Sequence, residues 1–199
     1  MSKLLQVFAR APIRGQVKTR IAKELGDDVA LNIHKRLCEK AVLTALSSDA
    51  DAVEAWTTDA SARDYFEAMA VECWVQQGVN LGTRMDFAMR HGLARHQRVI
   101  ILGSDALSVS PAYLAEAFRS LEQSEVVVGP ATDGGYVLIG ATRPVPELFR
   151  DMPWGTNEVM GHTLERLLSR GLGFHILGER WDVDTVQDVL TYIPDWLER

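Results

Sequence analysis

The residue best placed to do chemistry is Asp105. It closes the tripeptide Gly103-Ser104-Asp105, directly after the apolar run Val99-Ile100-Ile101-Leu102. Four apolar residues in a row read as a strand buried on both faces, as in a parallel sheet. Ligands of such sheets sit just beyond the carboxyl ends of the strands. A carboxylate there costs stability unless something pairs with it. A divalent metal carrying phosphate oxygens is one such partner; a helix cap or a neighbouring Arg is the plainer alternative.

Three further segments bear on that choice. The stretch from Arg10 to Arg20 follows the first expected strand and carries Arg10, Arg14, Lys18 and Arg20 in a chain whose net charge is −6. Gly15 would let backbone approach a ligand. Lys18 offers a point charge and Arg20 a planar fork for phosphate oxygens. The segment is not a P-loop, which requires GxxxxGK[ST]. In Thr132-Asp133-Gly134-Gly135-Tyr136 the paired glycines permit a tight turn, either a plain hairpin or one that brings Asp133 and backbone groups to a polar ligand. In Trp181-Asp182-Val183-Asp184-Thr185 the two carboxylates stand at i and i+2 and point the same way if the chain is extended. Mg²⁺ takes one or two protein carboxylates and completes its shell with phosphate and water, so Asp105 and Asp184 are candidate metal ligands. Thr185 reads as a helix N-cap. More weakly, Gly78, Asn80 and Gly82 surround a helix start, where backbone N–H groups favour anions.

Elements that alternate between strand and helix must position these residues. Strands are expected at Lys3–Ala9, Ala52–Thr57, Val71–Val75, Arg98–Leu102, Val126–Val128, Gly135–Gly140 and Gly173–Leu177. Helices are expected at Asp27–Leu46, with Val29, Ile33, Leu37, Ala41 and Leu43 inward, and from Ser61 to about Met69. Others are expected at Leu81–Ala94, from Ser110-Pro111 to Leu121, at Thr156–Arg170 with Val159, Thr163, Leu164 and Leu167 inward, and at Thr185–Tyr192. Arg10–Val17 and Thr142–Gly155 read as long irregular segments, which in compact domains are often functional. The alternation predicts an α/β fold, one domain over residues 1–199, with a mostly parallel sheet and helices on both faces.

Composition narrows the field. At 47% hydrophobic and 24% charged residues the chain is ordinary for a soluble globular protein. Net negative charge argues against general nucleic-acid binding, and no apolar run is long enough for a membrane span. Cys38 and Cys73 have neither metal-ligand nor disulfide-framework spacing, the five histidines form no ligand-spaced pair, and the early Arg10 argues against a secretory leader. The cytoplasm is the expected compartment. Self-association is open.

In order, FARAPxxGxVKTR, QxGxNLGxRM, GSD, GPxxDGGYxLIG and DVDT resemble a bacterial domain-of-unknown-function family, DUF2064, described as glycosyltransferase-like and linked by label to radical-SAM and arsenosugar gene neighbourhoods. A more distant similarity is to 2-phospholactate guanylyltransferase and the molybdopterin nucleotidyltransferases. The resemblance spans about residues 4 to 190. It implies the nucleotide-diphospho-sugar transferase (GT-A) fold and a metal-dependent transferase with a small nucleotide or nucleotide-sugar donor and a small acceptor. It implies Mg²⁺ or Mn²⁺ on Asp105 and Asp184, and Lys18, Arg20 and Asp105 as catalytic residues. Arg10, Arg14, Gly15, Ser104, Gly78, Asn80 and Gly82 join Lys18 and Arg20 around the nucleotide. Asp133, Gly134, Gly135, Tyr136 and Trp154 fall to the acceptor. The chain departs from its relatives at Ala106-Leu107, where many carry Cys-Pro or Ser-Pro, and at Gly155, where Ser is common. Glycosyl transfer is the leading expectation. Nucleotidyl transfer to a phosphorylated acceptor is the alternative, since a triphosphate suits so basic a first loop. A nucleotide-binding module without activity is the reading from another class; the altered Ala106-Leu107 loop favours it and the retained carboxylates oppose it.

Overall fold

The computed structural model describes residues 2–197; Met1, Glu198 and Arg199, the ends of the expected 1–199 domain, lie outside the described residues. The strands are β1 Lys3–Ala9, β2 Ala52–Thr57, β3 Glu72–Val75, β4 Arg98–Gly103, β5 Val126–Pro130, β6 Tyr136–Ala141 and β7 Phe174–Ile176. The helices are α1 Thr19–Leu25, α2 Asp27–Leu46, α3 Arg63–Glu67, α4 Leu81–Leu93, α5 Pro111–Ser120, α6 Val159–Ser169 and α7 Val186–Tyr192. All seven strands form one sheet in the order β3-β2-β1-β4-β6-β5-β7. β6 runs antiparallel to both β4 and β5, and the other pairings are parallel. Reversing β6 brings the start of this strand, beside the Asp133-Gly134-Gly135 turn, to the edge where the parallel strands end. Among the described residues no helix is long and apolar enough to cross a membrane.

Strand periodicity sorts the apolar residues onto two faces. Leu5, Val7, Ile100, Leu102 and Val127 pack under α2 and α5 with Leu37-flanking Cys38, Ala41 and Phe118. Leu4, Val99, Ile101, Val126 and Val128 face the other way, toward Ala88 and Met89 of α4 and Leu167 of α6. Ile21, Ile33, Leu37 and Val189 join α1, α2 and α7 into a satellite cluster. Each fully buried Leu or Ile contributes about 1.5–3 kcal/mol relative to exposure, so α2 alone anchors firmly through Ile33 and Leu37, both 1% exposed.

The structure corrects several local expectations. Leu43 is 56% exposed and Leu164 36%. The inner face of α2 is set by Ala30, Ile33, Leu37, Ala41 and Ala45, and Leu43, two residues past Ala41, lies about 200° around a helix of 3.6 residues per turn. The inner face of α6 steps by four through Val159, Thr163 and Leu167, which leaves Leu164 off-axis. The turn before α3 is capped by Asp59, whose carboxylate accepts from Ser61 N at 2.8 Å, and α3 ends at Glu67. α6 begins at Val159 because Thr156 first closes its own turn, accepting from Glu158 N. Helix α1 carries no start signal in the sequence: its N-terminal flank is Lys18, in a left-handed conformation and without a side-chain cap.

Two starts behave as their residues dictate. Ser110 caps α5, accepting from Tyr113 N, with Pro111 in the first turn. Asn80 and Thr83 form a reciprocal capping box at α4. Gly82, in the first turn of α4, meets the irregular 142–155 segment so closely that a Cβ would lie 2.1 Å from Phe149 O and 2.9 Å from Trp154 Nε1. We therefore expect Gly82→Ala to lower stability by about 1–3 kcal/mol, the range for overpacking, as measured by denaturant unfolding. An unchanged midpoint would mean that the 142–155 segment is not held against α4.

Candidate functional site

The site begins in the loop after β1. Ala11 N donates to Thr58 Oγ1, and the His34 ring of α2, 3% exposed, meets Arg10 O at 3.0 Å through Nε2. Burial holds the His34 pKa below the usual imidazole range, so Nε2 carries the proton of a neutral ring and donates it to that carbonyl. The loop ends at Lys18, whose φ of 44° and ψ of 49° are left-handed. Such a conformation costs a non-glycine residue on the order of 1–3 kcal/mol. It turns the side chain inward, where only 6% remains exposed.

There the Lys18 Nζ lies 2.7 Å from Asp105 Oδ2 and 3.5 Å from Asp184 Oδ1, while Arg20 NH1 lies 2.8 Å from Asp184 Oδ2. Burial alone would pull the Lys18 pKa down, but Asp105 and Asp184 outweigh it and hold it above 10.5. Burial likewise pushes the Asp105 carboxyl up, and Lys18 outweighs that, leaving it below 3.8. Main-chain bonds fix both carboxylates: Ser104 N donates to Phe8 O at 3.1 Å, and Val183 N donates to Asp105 O at 3.2 Å. The second bond stitches the chain before α7 to the end of β4. Asp184 is not the helix cap. Thr185 fills that role in a capping box with Asp188, which leaves the Asp184 carboxylate for its two cations. Asp182 is pushed up to about 7 by burial and by Asp105, Asp133 and Asp184, with Lys18 opposing.

These groups face a cleft of about 910 Å³ along the carboxyl edge of the sheet. It is lined by Arg10, Lys18, Arg20, Asn80, Ser104, Asp105, Asp133, Gly135, Tyr136, Trp154 and Asp184, which the sequence singled out. Asp133 accepts from Gly135 N at 2.9 Å, and Tyr136 meets Trp154 edge-on with centroids 6.1 Å apart. Five expected residues do not line the cleft. Arg14 turns away to grip Asp28 through Nε and NH2 at 2.7 and 3.0 Å, with Asp27 at 3.5 Å. Its neighbour Gly15 stays outside with it, a Cβ there meeting the Asp27 carboxylate at 3.6 Å. Gly78 and Gly82 shape the wall behind the α4 start, and Gly134, at φ 89°, packs so tightly that a Cβ would lie 2.3 Å from Asn157 O. The cleft also takes in Asp182, the other carboxylate of the pair read with Asp184, and residues given no role in the sequence reading: His34, Thr58, Asp59, Gln76 and Arg84. Gln76 could have been found, since it opens the QxGxN stretch directly after β3. His34 could not, because a lone histidine on a helix reads as core.

The donor set suits a hard divalent cation. Both carboxylates converge on the Lys18 ammonium, so their two contacting oxygens are no farther apart than the sum of its two contacts. A positive centre already stands between them. Among the described residues no group of three His, Cys, Asp or Glu is assembled for a metal. Two carboxylates completed by phosphate oxygens and water are, however, a normal Mg²⁺ set. Replacing Lys18 with Met should cost about 1–3 kcal/mol at neutral pH in chelator, below the 3–5 of a fully buried pair because the cleft admits water. The depressed Asp105 pKa sets the sign: the pair contributes above pH 3.8 and its contribution fades as pH falls through the lower folded value. The Lys18→Met penalty should therefore shrink in acid, and a penalty constant from pH 7 to pH 3 would deny the ion pair.

The family model described as "Uncharacterized protein conserved in bacteria (DUF2064)" matches residues 34–156. A candidate nucleotide-diphospho-sugar transferase from Desulfovibrio desulfuricans G20 is 29% identical, with a TM-score of 0.89 over 98% of this chain and 88% of that one. A nucleotidyl transferase from Methanothermobacter is 20% identical, with a TM-score of 0.68 over 99% and 98%. A Mycobacterium tuberculosis H37Rv protein solved with manganese is 15% identical, with a TM-score of 0.61 over 98% and 99%. Among curated proteins none matches significantly. The fold is that of the nucleotide-diphospho-sugar transferases, and the chain belongs to the DUF2064 family.

Proposed function

We propose that this protein is a single-domain transferase that draws on a nucleotide-activated donor with a divalent metal, moving a sugar from a nucleotide sugar to a small acceptor. The observation that carries the reading is the convergence of Lys18, Arg20, Asp105 and Asp184 at the carboxyl edge of the sheet, open to a cleft large enough for both substrates. The candidate sugar-nucleotide transferase at 29% identity supports it. Asp105 and Asp184 would hold Mg²⁺ or Mn²⁺, which when bound neutralises a diphosphate; the manganese complex of the M. tuberculosis neighbour is consistent with that. Lys18 and Arg20 bind phosphate oxygens and stabilise the charge that gathers on the departing nucleotide. The Ser104 hydroxyl and the Asn80 amide border the nucleotide, and the His34 bond to Arg10 O holds the phosphate-facing loop in place.

Nucleotidyl transfer is the second reading. It is favoured by the four cations Arg10, Lys18, Arg20 and Arg84 on the cleft wall and by the nucleotidyl transferase among the structural neighbours. The released product separates the two: a nucleoside diphosphate for glycosyl transfer, pyrophosphate for nucleotidyl transfer.

In thermal-shift and calorimetric titrations, a nucleoside di- or triphosphate or a nucleotide sugar should bind in a Mg²⁺- or Mn²⁺-dependent way. At 100 times its Kd it should add about 2.7 kcal/mol of stability. Lys18→Ala and Arg20→Ala should each weaken it by about 1.5–3 kcal/mol, the scale of a hydrogen bond to a charged group. Asp105→Asn should abolish the metal dependence, and adding Asp184→Asn should then change little, since groups sharing one site are not additive. Equal affinity for nucleoside and nucleotide would sink the assignment.

A further inference from the structure

The Lys and Arg side chains that line the cleft are gathered on one side of it. The sheet order places the segments after β1, β2 and β3 on one half and those of β6, β5 and β7 on the other, with the end of β4 between them. All four lining cations, Arg10, Lys18, Arg20 and Arg84, come from the first half. The second half contributes Asp133, Asp182, Tyr136 and Trp154 and, among the described residues, no lining Lys or Arg. The Arg180 guanidinium, the cation nearest in sequence to Asp182, is stacked on the Tyr113 ring at 4.1 Å instead of facing the cleft. Arg166, near Trp154 along the chain, is spent on the carbonyls of Glu147, Arg150 and Asp151.

Resting on the donor reading above, we infer that the acceptor is an uncharged hydroxylated compound of the sugar or polyol class, and that this half of the cleft rejects phosphorylated and carboxylated acceptors. Carboxylates accept hydrogen bonds from hydroxyl groups and repel an anion that no lining Lys or Arg of their own half neutralises. Asp133 has one oxygen fixed by Gly135 N, which leaves the other to accept. Asp182 lines the same wall of the cleft and, among the described residues, makes no salt bridge. The perpendicular Tyr136 and Trp154 rings offer an apolar wall for the C–H face of a sugar ring or polyol chain. A phosphate ester there would meet two carboxylates with its own charge unpaired. The selection thus falls on charge first and shape second, and it disfavours the phosphorylated acceptor of the nucleotidyl-transfer reading.

The test uses acceptor pairs that differ only in charge. The protein is labelled at its tryptophan indoles, the Trp154 N–H signal is assigned with Trp154→Phe, and Mg²⁺ is present throughout. Glucose and glucose 6-phosphate, then glycerol and glycerol 3-phosphate, are titrated with and without the nucleoside diphosphate that binds most tightly. We expect the neutral member of each pair to move the Trp154 signal at a concentration at least about tenfold lower than its phosphate. We expect Asp133→Asn/Asp182→Asn to narrow that ratio, an effect that a folding defect cannot produce. A phosphate binding as tightly as its neutral partner, a signal that no neutral member moves, or an unchanged ratio in the double variant would each overturn the inference. Failure of every nucleotide to bind would instead count against the donor reading, and the nucleotide-free arm keeps the two failures apart.

Discussion

The buried ammonium of Lys18 is the interaction on which the rest of the site depends. Without it, Asp105 would face Asp184 across the end of the sheet with no cation of its own, and Asp184 would keep only Arg20. With it, two segments distant in sequence are drawn to one point, and a left-handed backbone at a non-glycine residue is tolerated. The cation resolves a conflict of solvation. Burial disfavours the charges of Lys18 and Asp105 singly, yet each pKa shift of the pair runs toward the charged form. A place that holds a cation so well between two hard oxygen donors is suited to exchange it for another.

The sheet makes that convergence possible. β1 and β4 are parallel neighbours, so the loops that leave them, with Lys18 and Asp105, emerge side by side. The bond from Val183 N to Asp105 O then brings the chain before α7 to the same edge. Reversed β6 supplies the opposing wall, where Tyr136 begins the strand and the Gly134 turn is wedged against Asn157. The irregular 142–155 segment is fixed between α4 and that wall by Gly82 and Trp154, so the cleft floor is built by packing and not by a loose loop.

Much of this was legible in the sequence because the signals are local. The run from Val99 to Leu102 marked a strand buried on both faces, and a carboxylate at its end could lie only at the ligand edge. Ser110-Pro111 and Thr185 declared their helix starts. Other features depended on distant partners. Arg14 looks like its neighbours Lys18 and Arg20, but Asp27 and Asp28 at the start of α2 claim it. Helix α1 was hidden because Lys18 opens it in a conformation no side-chain pattern announces. Leu43 and Leu164 are apolar at near-helical spacing, and only the measured faces of α2 and α6 show them turned to solvent. Asp182 was legible only as one of a carboxylate pair; its raised proton affinity arises first from burial and then from Asp105 and Asp133 on two other segments and Asp184 on its own.

The account stands or falls on what occupies the space between Asp105 and Asp184. The most direct measurement is a crystal structure of the protein with Mn²⁺ and its tightest-binding nucleotide, with the metal located by anomalous scattering. The account predicts a manganese peak bonded to both carboxylates, with the Lys18 ammonium shifted from between them onto a phosphate oxygen. Nucleotide bound in the cleft with Lys18 still clasped by both carboxylates, and manganese elsewhere or absent, would contradict it.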